Sequence, residues 1–463
     1  MIVDHSAGSE TRVLCATAGI GAGLHLPSYE AGLALDPHVV AADAGTTDAG
    51  PYALGSGECA FAREAVASDL EAIILGARAR GIPVLIGSCG TAGADIQVDW
   101  CLDIVREIAG RHRTPLRVAL VYAEQPKSRL AAQLALGQIR PLDPAPPFDA
   151  GTIDRADRIV GMMGIEPLQA ALAEKPDVVL AGRCSDSALF AAVPVLHGRP
   201  AGLSWHMGKV IECGPLACVT KGPGVMLGVV RDDHAIIRPI GPNLACTPQS
   251  IAAHSLYENG DPWLHRECSG TLDITDAVFT QEDATSVRIT GSRFIPASPK
   301  TVKLEGAEPL GHQTLMIGGI RDPFLLDMLD EWLAGVRRAT EKAAADLLAD
   351  RLRPGEWRMD LHLYGRDAVM GAQERDPRRP HEVGVVATFT APTQALATKL
   401  AQLARQPFLH NPIPKWRGAI TTIAYLLNPA HVERGPVWRF CANHVVEVED
   451  PMELFRLRTV QVG

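Results

Sequence analysis

The sequence has no CxxC pair. Its cysteines, at positions 15, 59, 89, 101, 184, 213, 218, 246, 268 and 441, are scattered, so neither a zinc ribbon nor a disulfide framework is indicated. It has no basic surplus either: 44 Lys and Arg stand against 53 Asp and Glu, a formal charge of −9. That balance argues against a dedicated nucleic-acid binder. No apolar run reaches the roughly eighteen residues of a membrane span. The opening, MIVDHSAGSETR, lacks the charged-then-apolar layout of a signal peptide. Internal repeats and low-complexity tracts are missing too. The expectation is a cytoplasmic protein with free thiols, without nucleic-acid or membrane partners.

A complete dinucleotide fingerprint is also absent. Arg12–Thr17 reads as a buried strand followed at once by AGIGAGLHLPS, but Leu26 stands where a third glycine is required. The glycines there imply a tight backbone turn, and no redox cofactor is expected.

What is present is a globular chain of 463 residues, 47% hydrophobic and 21% charged, long enough for two or three domains. Val39–Ala42 is a short apolar run that breaks into DAGTTDAGP, where Asp43, Thr46, Thr47 and Asp48 crowd together. A helical pattern over Glu58–Arg80 follows, then strand Pro83–Ile86 opening into GSCGTAGAD. Helix Val98–Ala109, strand Leu116–Val121, helix Lys127–Leu136 and strand Asp177–Ala181 continue the alternation, the last opening into GRCSDSALFAA. Apolar runs alternating with helices imply parallel strands joined by helical crossovers. Four of these strands end in Gly-rich turns carrying Ser, Thr, Asp or Cys, and such turns converge at one edge of a parallel sheet.

These patterns predict an α/β chain. Residues 1–221 form a Rossmann-like parallel sheet with helices on both faces. A mixed α+β region follows over 222–355, where ATSVRITGSRF and TVKLEGA read as strands and a helix runs from Phe324 to Arg351. Residues 356–463 form a ferredoxin-like β/α sandwich. Within Leu203–Cys218, His206, Lys209, Glu212 and Cys213 span eight residues. On a helix, His206, Lys209 and Cys213 share a face, and a Lys209–Glu212 pair on a solvated surface is the plainer alternative.

ADAGTTDAGPYALG, AGRCSDSALFAA, HMGKVIECG, CTPQSIAAHSLYENGDP, VRITGSRF, KTVKLEGAEPLG and GGIRDPFLLDMLD stand in the order seen in the AtuA-like, acyclic terpene utilisation, family. The chain resembles that family from about residue 12 to 340, and more loosely to its end. The resemblance implies a metabolic role beside enzymes for branched acyl-CoA or short dicarboxylic acids, and a small partner protein. Some relatives are named methylaspartate ammonia-lyase. Two blocks depart from the family pattern: Cys184-Ser185 replaces an Ala-Tyr pair in the fourth turn, and Gly311-His312-Gln313-Thr314 stands for GYRT.

Adding or removing water or ammonia beside a carboxylate or thioester needs a base, an acid and donors for the enolate-like oxygen. The expected acid/base groups are Asp48, Lys209, His206 and Glu212. Arg183 offers a fork for a substrate carboxylate, or a structural pair with Asp186. Backbone N–H groups at Thr46–Thr47 and Ser88–Gly90 offer an oxyanion cradle, and Ser185 and Asp186 face the same edge. Lys303, Glu305, Arg321 and Asp322 either complete the site or form an ion network. The reading is a lyase, a hydratase or dehydratase, acting on a small branched or unsaturated acid or its CoA thioester, with no cofactor and no metal. Two alternatives stand. Cys89 and Cys184 could act as paired thiols of an isomerase or racemase, given a lowered thiol pKa. A non-catalytic acyl-CoA scaffold is the other. Self-association into a homo-oligomer is expected in each case.

Overall fold

The computed structural model describes residues 9–46, 49–376, 378–414 and 421–463. Two compact units make up the chain: Met1–Glu308 with Phe440–Gly463, and Pro309–Arg439. This division differs from the expected segments 1–221, 222–355 and 356–463. The reason is strand pairing. Val225–Arg231 lies antiparallel to the first strand of the chain, and Arg456–Val462 returns to pair with Leu116–Tyr122. Sequence distant from the N-terminal half therefore completes its sheet.

The first unit is built on a ten-stranded sheet. Strands β1 (Glu10–Cys15), β2 (Val39–Gly45), β3 (Val84–Thr91), Val178–Ala181 and β4 (Leu116–Tyr122) lie side by side in that order, all parallel. They are buried on both faces, which is why they read as continuous apolar runs rather than alternating ones. Leu14, Val40, Ile86, Leu120 and Leu180 point to one face, packing with Tyr29, Leu70, Ile73, Val98 and Ile108 from the helices on that side. Each such side chain contributes roughly 1.5–3 kcal/mol by leaving water. Helices Asp186–Leu196 and Ala201–Ile211 pack on each other and on the sheet. They are apolar nearly all round and almost wholly buried. Pro194 sits inside the first of them.

The four polar turns predicted to converge do so, since β1, β2, β3 and Val178–Ala181 are parallel neighbours whose carboxyl ends share one edge. One boundary differs. β3 runs on to Thr91, through GSCG: Ser88 and Thr91 adopt positive φ (47° and 89°), and the pairing with β2 shifts register there before it resumes between Gly45 and Thr91. Two further pieces position the site. Leu264–Glu267 and Gly270–Asp273 form a hairpin, with Cys268 and Ser269 at its tip. Residues 303–307 of the strand Lys300–Ile320 pair with Arg158–Met162, a strand that the sequence reading missed.

In the second unit, strands Arg358–Tyr364 and Val383–Ala391 pair antiparallel, and Val383–Ala391 pairs with residues 312–320. Helices Leu329–Leu348 and Gln394–His410 pack on each other over a core that includes Trp332, Phe389 and Phe408. The expected single helix Phe324–Arg351 is two, Pro323–Asp327 and Leu329–Leu348. No helix among the described residues is long and apolar enough to cross a membrane.

Candidate functional site

The turns after β3 and after Val178–Ala181 are tied together by close backbone approach. Arg183 N donates to Gly93 O at 3.1 Å and Ser88 N to Gly182 O at 3.0 Å. Gly93, at φ +67°, leaves no room for a side chain: a Cβ there would lie 2.1 Å from Arg183 N. Ser88 Oγ accepts from Cys184 N at 3.1 Å and from Arg183 Nη1 at 3.3 Å. These bonds fix Arg183 with its side chain buried.

The Arg183 fork is not turned to a free ligand, and its partner is not Asp186. Nε donates to Glu305 Oε2 at 2.8 Å, and Lys303 Nζ donates to Glu305 Oε1 at 2.8 Å. Lys303 and Glu305, two apart on one strand, share a face. Burial opposes charge on Glu305, but Arg183 and Lys303 prevail and hold its carboxyl down at about 2. Of the second predicted cluster, Arg321 and Asp322 belong to the other unit. There Arg321 donates to His381 at 3.1 Å, and Asp322 caps helix Pro323–Asp327 through Leu325 N at 2.9 Å.

Two N–H groups of the expected oxyanion cradle are engaged within the protein. Thr46 N donates to Thr91 O at 3.0 Å and Ser88 N to Gly182 O, so both bond neighbouring turns. Gly90 sits at φ +67° against Gln97. Thr47 and Asp48 lie outside the described residues. Asp43, at the end of β2, accepts from Gly45 N through Oδ2 at 2.8 Å. Its buried Oδ1 has no hydrogen-bond partner among the described residues. Burial and the nearby Asp186 push Asp43 up, against the pull of Arg183.

Lys209 and Glu212 do pair, Nζ to Oε1 at 2.6 Å, but in the interior rather than on a solvated face. Ser187 Oγ donates to Glu212 Oε2 at 3.0 Å. Lys209 also lies 5.6 Å from the Tyr257 ring centre and 3.8 Å from Glu258 Oε2. Burial works against its charge, yet Glu212 holds Lys209 above its ordinary value. Burial raises Glu212 to about 8 despite Lys209, with Asp186 and Glu267 adding to the rise. Asp186, partly buried one residue after Ser185, is raised by burial against Arg183 and Lys209. His206 is elsewhere: its Nδ1 is 2.7 Å from Ser292 Oγ and its Nε2 2.8 Å from Ser255 Oγ, with Phe279 edge-on. Burial lowers it to about 3, a neutral imidazole with both nitrogens engaged. His254 stacks on Tyr257, and its buried Nε2 has no hydrogen-bond partner among the described residues.

Cys89 and Cys184 lack the low-pKa setting that a thiol mechanism needs. Burial pushes both thiols well above their ordinary value, with Cys101 adding to the first and Asp43 to the second. Cys89 packs into the apolar core, and Cys184 Sγ donates to Ser185 O at 3.2 Å.

A cavity of about 690 Å³ opens beside these groups, lined by Ser185, Arg266, Glu267, Cys268, Lys303, Arg140 and Thr301, with Met162, Pro141, Leu142 and Val445 as apolar walls. Glu267, at the end of the hairpin strand, accepts from Ser185 Oγ at 3.0 Å. Burial pushes it up to about 7, against the Ser185 and Ser187 hydroxyls and Lys209. Ser185 also caps helix Asp186–Leu196 through Ala188 N. Glu267, Arg266 and Ser187 escaped the sequence reading. WLHRECSG looks like any hairpin, and only strand pairing turns its end toward the fourth turn.

Residues 56–414 match the model of the family described as acyclic terpene utilisation family protein AtuA. No curated protein and no solved structure matches the chain.

Proposed function

The chain belongs to the acyclic terpene utilisation family AtuA, and from that premise we propose that it is a lyase. Membership points to a role in terpenoid catabolism. The finer reading is a hydratase or dehydratase for a small branched or unsaturated carboxylic acid or its CoA thioester, in a cytoplasmic enzyme that needs no redox cofactor. In it the first unit is a Rossmann-like scaffold. The second, whose longer elements run strand–helix–strand–strand–helix–strand once the short helix Pro323–Asp327 and the two-residue strand Ala424–Tyr425 are set aside, is ferredoxin-like.

The observation that carries this reading is Glu267, raised to about 7 on the wall of a cavity that also presents Lys303 and Arg266. A carboxyl titrating near neutrality can both take and return a proton at working pH. Lys303 and Arg266 supply positive charge for a carboxylate or for the oxygen of a forming enolate. In dehydration one group removes the proton beside the carbonyl, a second returns a proton to the departing hydroxyl, and water leaves. Glu267 fills one of these roles, with Lys209 and Glu212 as the buried acid/base pair behind it. Arg183 holds Glu305 and Lys303 in place. The cavity's apolar walls suit a branched aliphatic group. A small partner subunit and self-association belong to the same proposal.

The test is hydration of tiglyl-CoA and of free tiglic acid, followed by loss of enoyl absorbance. Turnover by the wild type is expected to fall about a hundredfold in Glu267→Gln, with the fold retained. Lys209→Ala is expected to lose turnover as well, and Cys89→Ser to keep it. Thioester binding without turnover in the wild type would overturn the lyase and leave a binding scaffold. Loss of solvent-proton exchange in Cys89→Ser would point to the isomerase.

A further inference from the structure

Away from the cavity, Cys218 and Cys246 face each other. Their Sγ atoms are 3.7 Å apart, a hydrogen-bonding contact that lies only about 1.7 Å from disulfide length. The backbone sets this up. Val219 N donates to Ala245 O at 2.9 Å, and Thr220 Oγ1 donates to Asn243 O. Forward along one segment is thus backward along the other, and Cys218 falls opposite Cys246, where antiparallel neighbours bring side chains together. Cys246 N donates to Thr285 O at 2.8 Å, and Cys246 O accepts from Gln281 Nε2 at 3.2 Å. That side of the pair is therefore held in place.

Both thiols are free and buried, but the layer over them is thin. Leu216 and Val219, which flank Cys218, are 53% and 57% exposed. The two thiols are also unequal. The hydrogen bond with Cys246 holds Cys218 below its ordinary value against burial, with help from Lys221. The same bond raises Cys246, and burial adds to the rise. Cys218 is accordingly the better nucleophile of the two.

We infer that Cys218 and Cys246 are an oxidation site, which hydrogen peroxide converts to a disulfide. The bond staples the segment after helix Ala201–Ile211 to the start of helix Pro248–Ser255. The Cys218 thiolate attacks one peroxide oxygen, the O–O bond breaks, and the departing oxygen is protonated to water, leaving a sulfenic acid. The Cys246 sulfur then attacks the Cys218 sulfur, the S–O bond breaks, and a second water departs. Two thiols are oxidised to one disulfide as one peroxide is reduced to two waters. The staple acts at a defined place. Thr247, next to Cys246, caps helix Pro248–Ser255. That helix delivers Ser255 Oγ to His206 Nε2 at 2.8 Å, and just beyond it Tyr257 and Glu258 approach Lys209. Oxidation therefore pins the helix that covers the Lys209–Glu212 pair. This holds whether or not the cavity is that of a lyase.

The test treats the folded full chain with hydrogen peroxide and maps the unreduced digest by mass spectrometry. A Cys218–Cys246 cross-link is expected, with the thiol count falling from ten to eight and recovering in dithiothreitol. Cys218→Ser and Cys246→Ser should each abolish the cross-link, and in Cys246→Ser dimedone should trap Cys218 as its sulfenic acid. Cys213 shares the tryptic peptide 210–221 with Cys218, so Cys213→Ser is the control that must keep the cross-link. In the oxidised protein, amide exchange in helix Pro248–Ser255 should slow about tenfold, and the melt should rise by about 5 °C. A dose that oxidises the half-buried Cys59 without forming the cross-link overturns the site. So does a cross-link that forms only in urea. A cross-link that leaves exchange in the helix unchanged overturns the staple.

Discussion

Arg183 and Glu305, 122 residues apart in the chain, meet through Nε and Oε2 at 2.8 Å with both side chains buried. A buried pair of this kind is costly to break, because the surviving charge is left without its counterion. Glu305→Gln should therefore destabilise the first unit by about 3 kcal/mol in urea unfolding at neutral pH. The pH dependence has a definite sign. The folded carboxyl sits at about 2 against an ordinary 4.5, so its contribution is complete above that ordinary value and is lost as pH falls from 4.5 toward 2. The variant should lack that acid loss. Identical acid unfolding curves for the two proteins would refute the assignment.

Glu267 behaves oppositely. Its folded pKa is raised by burial from an ordinary 4.5 to about 7, so the folded state favours the protonated form. The stability this gives is complete below 4.5 and is lost as pH rises through 7. Glu267→Gln, the variant expected to lower turnover about a hundredfold, should be more stable than the wild type at pH values above 7 and about equal in acid. Thermal melts across that range decide it.

His206 should remain neutral where an ordinary histidine is charged. Burial lowers it from 6.5 to about 3, so nitrogen NMR at about pH 5 should find no imidazolium at this position. Its contribution to stability falls as pH drops below 6.5 toward 3. Titration near the ordinary value would show that the ring reaches solvent and would return it to the list of acid/base groups.

Gly93→Ala should cost at least about 2 kcal/mol, from a positive φ together with a Cβ placed 2.1 Å from Arg183 N. The backbone must give way on one side, so turnover should fall with stability. Gly81→Ala has open space around its Cβ at a similar positive φ of 69°. It isolates the backbone strain, and its smaller loss should leave turnover intact.

The sequence made the scaffold legible where burial is continuous. β1, β2, β3, β4 and Val178–Ala181 were each visible as apolar runs, and the convergence of their polar turns followed from their being parallel. The Lys209–Glu212 pair was visible as helical spacing, but its burial was not, because burial depends on which helix covers it. Arg183 was seen as a candidate, yet its partner lies in a strand 122 residues on, a distance that no local pattern spans. Glu267 was missed for the same reason. Ser187 looked like an ordinary first-turn helix residue until the next helix placed Glu212 against it.

The two units are not consecutive in the chain. Pro309–Arg439 interrupts a unit that resumes at Phe440, and Arg456–Val462 pairs with the edge of β4. During synthesis on the ribosome, β4 waits for its partner until more than three hundred further residues have been made, as the numbering requires. An unpaired strand edge is an invitation to aggregation. Nascent chains stalled within the second unit are therefore the species that chaperones must hold, and truncation before Arg456 should produce inclusion bodies rather than a soluble N-terminal fragment.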